Sequence, residues 1–185
     1  MSLPPLEVDL YSDTKTRPTA AMRKAMAAAE VGDEQAFEDP TVNALVERVA
    51  TLLGKEAAVF LPSGTMANEI AYRLHVRPGG EIVLDATAHA MDAEAGGPAA
   101  LAGAMLHPVP GRRGVFTAAQ LEAAIRPPGR HFPRTRCVSV ENTSNFGGGT
   151  VWPLAALDEV CAVARRHGLA THLDGARLMN AVVAS

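Results

Sequence analysis

Four groups of residues are of types that do chemistry and sit where a ligand could reach them. The first is Ser63-Gly64-Thr65, in "FLPSGTMANEIA", between an apolar run and a helical pattern. The first N–H groups of a helix have no internal partners, and the helix dipole makes that end positive. A glycine between two hydroxyl residues there makes a plausible phosphate cradle, with an ordinary capping turn as the alternative. The stretch is neither GxGxxG nor GxxxxGK[ST], so a dinucleotide fold or a Walker site has no support.

The second group is His89, with Glu94 close behind it, in "DATAHAMDAEAGG" after the apolar run "EIVLD". The third is the polar row Glu141, Asn142, Thr143, Ser144, Asn145, which follows "TRCVSV". The fourth is Asp174, at the end of "LATHLD" and ahead of Gly175 and Arg177. A carboxylate there could face a ligand heteroatom or make a local pair with Arg177. His172 alternates with Asp174, so both side chains belong to one strand face. His75, His107, His131 and His167 fall near helix ends or in connections and read as surface residues. With no HxxxH or HExxH pattern, a metal site is not expected.

The elements that must position these groups alternate. Helices are expected from Thr19 as cap to Gly32, and from Asp39 with Pro40 in the first turn. In the second, Val42, Leu45, Val46, Val49, Leu52 and Leu53 make an amphipathic stripe. Further helices follow Pro62, occupy "LAALDEVCAVARRHG", and start at Thr117, with a loop and short helix over "AHAMDAEAGGPAALAG". Strands are expected at "AAVFL", "EIVLD", "AMLHPVP", "TRCVSVEN" and "LATHLD". Short apolar strands alternating with helices imply an α/β fold, a three-layer α/β/α arrangement around a mostly parallel sheet. In such a sheet the carboxyl ends of the strands gather at one edge, so Ser63–Thr65, His89, Ser144 and Asp174 are expected to converge there. No internal domain boundary is visible, and "RPPGRHFPRT" reads as a surface connection.

Composition removes several alternatives. The chain has 185 residues, 48% of them apolar, and a net charge of −3, with no basic run for a nucleic acid or an anionic membrane. Cys137 and Cys161 belong to no CxxC pair and read as structural thiols. No apolar run approaches the ~18 residues that cross a bilayer, and "MSLPPLEVDL" lacks the features of a signal peptide, so a cytoplasmic protein is the default.

Six stretches, "SDTKTRPT", "VGDEQAFEDPTVN", "GKEAAVFLPSGTMAN", "AHAMDAEAGGPAAL", "PRTRCVSVENTSN" and "HLDGARLMNAVVA", occur in an order that resembles the low-specificity L-threonine aldolases of the β-eliminating lyase group. The resemblance runs from Asp9 to Ser185. It implies the large domain of a fold-type I pyridoxal-phosphate enzyme over 19–185, an N-terminal arm over 1–18, and a small C-terminal domain outside this chain. It implies pyridoxal 5′-phosphate as cofactor, with Ser63, Gly64 and Thr65 on the phosphate, His89 stacked on the ring, and Asp174 paired with the ring nitrogen. Arg177 and Ser12 would serve the substrate carboxylate, and Ser144 the substrate β-hydroxyl. The implied reaction cleaves a β-hydroxy-α-amino acid to glycine and an aldehyde, in a homodimer or homotetramer.

Three departures stand out. Ser144 occupies the place where the family commonly has His, and Ala36-Phe37 stand where it often has Tyr-Gly. Both put threonine itself in doubt as substrate. The lysines are Lys15, Lys24 and Lys55, none in the context of the family's cofactor-binding lysine, which follows the "DGAR" aspartate. The chain is therefore expected to be the N-terminal part of such an enzyme. A catalytically inactive domain acting as a partner or binding module is the alternative.

Overall fold

The computed structural model describes residues 8–185. The start of the N-terminal arm, and with it most of the signal-peptide reading, lies outside the described residues. The chain divides into two compact units, one ending at Phe60 and the other Leu61–Ser185, although the sequence shows no boundary there.

In the first unit, Ser12 caps a 3-10 turn at Asp13–Lys15, its Oγ accepting from Thr14 N–H at 3.3 Å. Helix α1 (Ala20–Ala27) starts at the Thr19 cap but ends ahead of Gly32, at an Ala28 cap. Helix α2 (Pro40–Leu53) starts at Asp39, whose carboxylate accepts from the N–H groups of Thr41, Val42 and Gly32. Those donors, Val42 first and then Gly32, hold the Asp39 carboxyl below its usual range. On the apolar stripe of α2, Leu45, Leu52 and Leu53 are exposed.

The expected strand "AAVFL" does not form. Residues 57–61 carry no strand pairing, and Val59 and Phe60 are exposed. Apolar, β-branched composition suits a strand, but a strand exists only where another pairs with it, and among the described residues none does.

The second unit carries helix α3 (Gly64–His75), strand β1 (Gly80–Asp85), helices α4 (His89–Asp92) and α5 (Gly97–Leu101), and strand β2 (Met105–Val109). Helix α6 (Ala118–Ala124), strand β3 (Arg134–Glu141), helix α7 (Leu154–Arg166), strand β4 (Ala170–Asp174) and helix α8 (Leu178–Ala184) follow. The sheet order is β2-β1-β3-β4, with every pair parallel. Strand β1 is buried along its whole length because both its faces are covered. Val83 joins Val109, Phe116, Leu121, Val138, Trp152 and Val160 on the α6/α7 face. Ile82 and Leu84 join Tyr72, Val76 and Cys137 on the α3 face. This is the expected three-layer arrangement, and it explains the uninterrupted apolar run "IVL", which an antiparallel sheet with one wet face would not need.

The chain leaves β1 toward β2 on one side, then returns across it to β3 on the other. That reversal puts a crevice outside the carboxyl ends of β1 and β3, where open α/β sheets bind ligands.

Both cysteines are free, and burial pushes the Cys137 thiol up to about 12, so it is inert packing. His107 departs from its surface reading: it lies within β2, 3.2 Å from the buried Glu81, which also pairs with Arg126 at 2.7 Å. This cluster sits at the amino end of β1, away from the crevice.

Candidate active site at the strand ends

Asn68 holds the centre of the crevice. Its amide nitrogen donates to Glu94 Oε1 at 2.8 Å and to Asp174 Oδ2 at 2.9 Å. Its Oδ1 accepts from His172 Nε2 at 2.9 Å. One side chain of α3 thus ties the carboxyl end of β4 to the turn between α4 and α5. The orientation of the amide follows from its partners, since two carboxylates require the NH2 group. His172 must then carry its hydrogen on Nε2, and burial lowers its pKa and favours the neutral ring. As alternation predicted, His172 and Asp174 face the same way, toward α3.

His89 is the first residue of α4. Its backbone N–H donates to Glu141 Oε2 at 3.0 Å, so it bridges the carboxyl ends of β1 and β3 at the crevice. Its Nδ1 lies 2.8 Å from Glu94 Oε1, and the imidazole is one-third exposed. Glu141 is fixed a second time by the N–H of Asn145 at 2.9 Å, and burial raises its pKa against these two donors. The ligand atoms of His89, Glu94 and Asp174 all lie within 4.8 Å of one another.

Ser63 caps α3, its Oγ accepting from Met66 N–H at 3.2 Å. Asn68 lies about one turn further along the same helix, so the cap and the Asp174 contact belong to one rigid element. Among the described residues, the N–H groups of Gly64 and Thr65 have no hydrogen-bond partner, and a Cβ at Gly64 would meet open space. Ser63 and Thr65 also line a cleft of about 630 Å³ with Met66, Glu69 and Arg73.

Asp174 is half-buried, and its Oδ1 accepts from Ala176 N–H at 3.1 Å in the turn that leads to Arg177, the N-cap position of α8. Ser144 is placed differently from its expected convergence. It is 1% exposed, its Oγ accepts from Gly147 N–H at 3.3 Å, and Gly114 packs directly against it. It is built into the loop that follows β3 rather than open to a ligand. Ser12 belongs to the first unit and is described there.

The sequence pattern points to His89, Asp174 and the Ser63–Thr65 turn, which the structure places at the carboxyl edge of the sheet, but not to Asn68 or Glu69. The signal for these two was a polar pair, Asn-Glu, in the middle of the otherwise amphipathic α3, where both prove buried. Buried polar pairs in a helix need partners, and here the partners are the site.

The four-stranded parallel sheet with helices on both faces is the fold of part of the large domain of fold-type I pyridoxal-phosphate enzymes. The family model for beta-eliminating lyases matches residues 9–185, and the chain belongs to that family. It is 46% identical over 178 residues to the low specificity L-threonine aldolase of Escherichia coli K12, covering 96% of this chain and 53% of that protein. With a probable low-specificity L-threonine aldolase 2 of Arabidopsis thaliana the identity is 43%, over 96% of this chain and 51% of the relative. The Leishmania major threonine aldolase structure superposes with a TM-score of 0.75 at 26% identity, over 88% of this chain and 46% of that one. The chain spans about half the length of these relatives.

Proposed function

We propose that the protein containing this chain is a pyridoxal-phosphate-dependent aldolase that cleaves a threonine-like β-hydroxy-α-amino acid to glycine and an aldehyde. The observation that carries the reading is the Asn68–Asp174 hydrogen bond, which aims a strand-end carboxylate from the helix whose N-terminus offers the anion cradle. Family membership supports the choice of cofactor.

The residues present fit that cofactor. The N–H groups of Gly64 and Thr65 and the hydroxyls of Ser63 and Thr65 suit a phosphate. Asp174, held by Asn68, suits a protonated ring nitrogen, because a carboxylate beside it favours the charged form. His89 presents its partly exposed imidazole to the same crevice. When bound, a pyridinium ring supplies an electron sink for negative charge at the substrate Cα.

The chain's own residues do the rest. Asp174 keeps the ring nitrogen charged, and Asn68 keeps Asp174 in place. His89 covers the ring and offers a nitrogen for the proton of the substrate hydroxyl. Arg177 and Ser12 serve the substrate carboxylate. Ser144 acts near the β-hydroxyl, through the loop it shapes. In this reading residues 1–18 are an arm and 19–185 are part of the large domain, and the protein works as a cytoplasmic homodimer or homotetramer.

The test is release of glycine and aldehyde from a panel of β-hydroxy amino acids by the protein supplied with the cofactor. Cleavage of at least one substrate, lost in Asp174→Ala, is expected. A protein that binds the cofactor but cleaves none of them would sink the aldolase reading.

A further inference from the structure

Three buried carboxylate oxygens behind the crevice have no hydrogen-bond donor: both oxygens of Glu69 and Oε2 of Glu94. Glu69 is 6% exposed, and the side chain of Glu94 is fully buried. Glu69 projects from the middle of α3, Glu94 from the turn between α4 and α5, and the two carboxyls are in contact. Gly97 makes the seat, since a Cβ there would run into the Glu69 carboxyl.

Charged and titratable groups face this pair from each neighbouring element. From α3 comes Arg73, one turn beyond Glu69, whose guanidinium donates to the Leu101 carbonyl at 3.4 Å. From α4 comes His89, and from β4 come His172 and Asp174. Tyr72 of α3 also feels the Glu94 charge, and Glu141 of β3 holds the His89 N–H. Among the described residues, no ion pair reaches Glu69.

Two touching buried carboxylates, with no cation paired to Glu69, are strongly disfavoured when both are charged, so one of them holds a proton. Glu94 Oε1 already accepts from Asn68 and meets His89. Glu69 accepts from nothing and is the one that takes the proton. An O–H on Glu69 directed at Glu94 Oε2 gives that orphaned oxygen its donor.

We propose that Glu69 and Glu94 form a carboxylic acid–carboxylate pair sharing one proton, and that the pair is a positioning device for His89. Glu94 Oε1, as an acceptor, requires His89 to carry hydrogen on Nδ1. In its neutral form the ring then keeps the lone pair of Nε2 for the crevice. The use made of that Nε2 rests on the aldolase reading, but the shared proton does not. Burial, reinforced by Glu94, pushes the Glu69 carboxyl up to about 7, so the pair loses its proton near neutrality.

Infrared spectroscopy of the cofactor-free protein, titrated from about pH 5 to about pH 9, reads the proton directly. The expected result is a protonated-carboxyl C=O band that persists toward neutrality and is absent from Glu69→Gln. That variant keeps the shape and donates an amide N–H to Glu94, so it folds. Nitrogen-15 NMR of the histidines should find the neutral His89 ring protonated at Nδ1 in both proteins. Absence of the band above about pH 6, its survival in Glu69→Gln, or a His89 ring protonated at Nε2 alone would each overturn the proposal. Cofactor binding, measured separately, keeps the two claims apart: a band without binding defeats the aldolase reading only, and binding without a band defeats this one.

Discussion

Asn68 of α3 donates a hydrogen bond to Asp174 of β4 at 2.9 Å, across 106 residues of chain. The same amide satisfies Glu94 and accepts from His172, so one side chain fixes the tautomer of a histidine and the direction of two carboxylates. Such a group has no exposed substitute. Removing it leaves three partners short of a bond.

Asn68→Ala is expected to lower stability by about 1–3 kcal/mol for each group it orphans, a loss visible in urea unfolding. Asn68→Asp should be worse, because it replaces a donor with a third carboxyl facing Glu94 and Asp174. A variant as stable as the parent would mean that this network is not formed in solution.

The Glu69 carboxyl implies a pH dependence of stability. Its folded pKa, about 7, stands above the ordinary value of 4.5, so the folded state holds this proton more tightly than the unfolded state does. Stability from this group is present in full below about pH 4.5 and is lost as pH rises toward about 7, after which the loss is complete. Glu69→Gln should flatten that part of the profile and raise the melting temperature at pH 8 more than at pH 5. Equal shifts at both pH values would contradict the assignment.

Gly114, at a φ of 83°, lies against the Ser144 hydroxyl, and a Cβ there would collide with it. Gly114→Ala is expected to cost about 1–3 kcal/mol from overpacking, plus the strain of a left-handed alanine. Adding Ser144→Gly should return the overpacking part and leave the strain. A double-mutant cycle measures this, and additivity would show that the two residues do not meet.

Ser63→Ala removes the cap of α3 and one hydroxyl of the anion cradle together. About 0.5–2 kcal/mol of stability should go with it, and inorganic phosphate should compete less strongly for the cofactor site. Loss of stability with unchanged phosphate competition would reduce Ser63 to a cap.

Much of this was legible in the sequence, for local reasons. The caps at Thr19, Ser63 and Thr117 announced their helices, because a hydroxyl before an amphipathic run has one structural use. The runs "IVL" and "CVSV" announced buried parallel strands. His89 and Asp174 drew notice because each lies at the carboxyl end of such a strand, where the structure also puts them. The strand at residues 57–61 failed because pairing is a property of two segments, and one segment's composition cannot supply the other. Asn68 and Glu69 were missed because they meet Glu94, 26 residues from Asn68, and Asp174, 106 residues from it, distances that no periodicity reports. Ser144 was placed in the right loop, but which way its hydroxyl faces depends on Gly114, thirty positions earlier.

In the proposed enzyme Asp174, held by Asn68, receives the ring of pyridoxal phosphate. Titration of the cofactor into the protein, followed by quenching of Trp152 and by equilibrium dialysis, tests it most directly in the parent and in Asp174→Ala. Saturable binding of one cofactor per chain is expected, weakened at least about tenfold in the variant, for the lost ion pair. Equal affinity in the two proteins, or no binding to the parent, would contradict it.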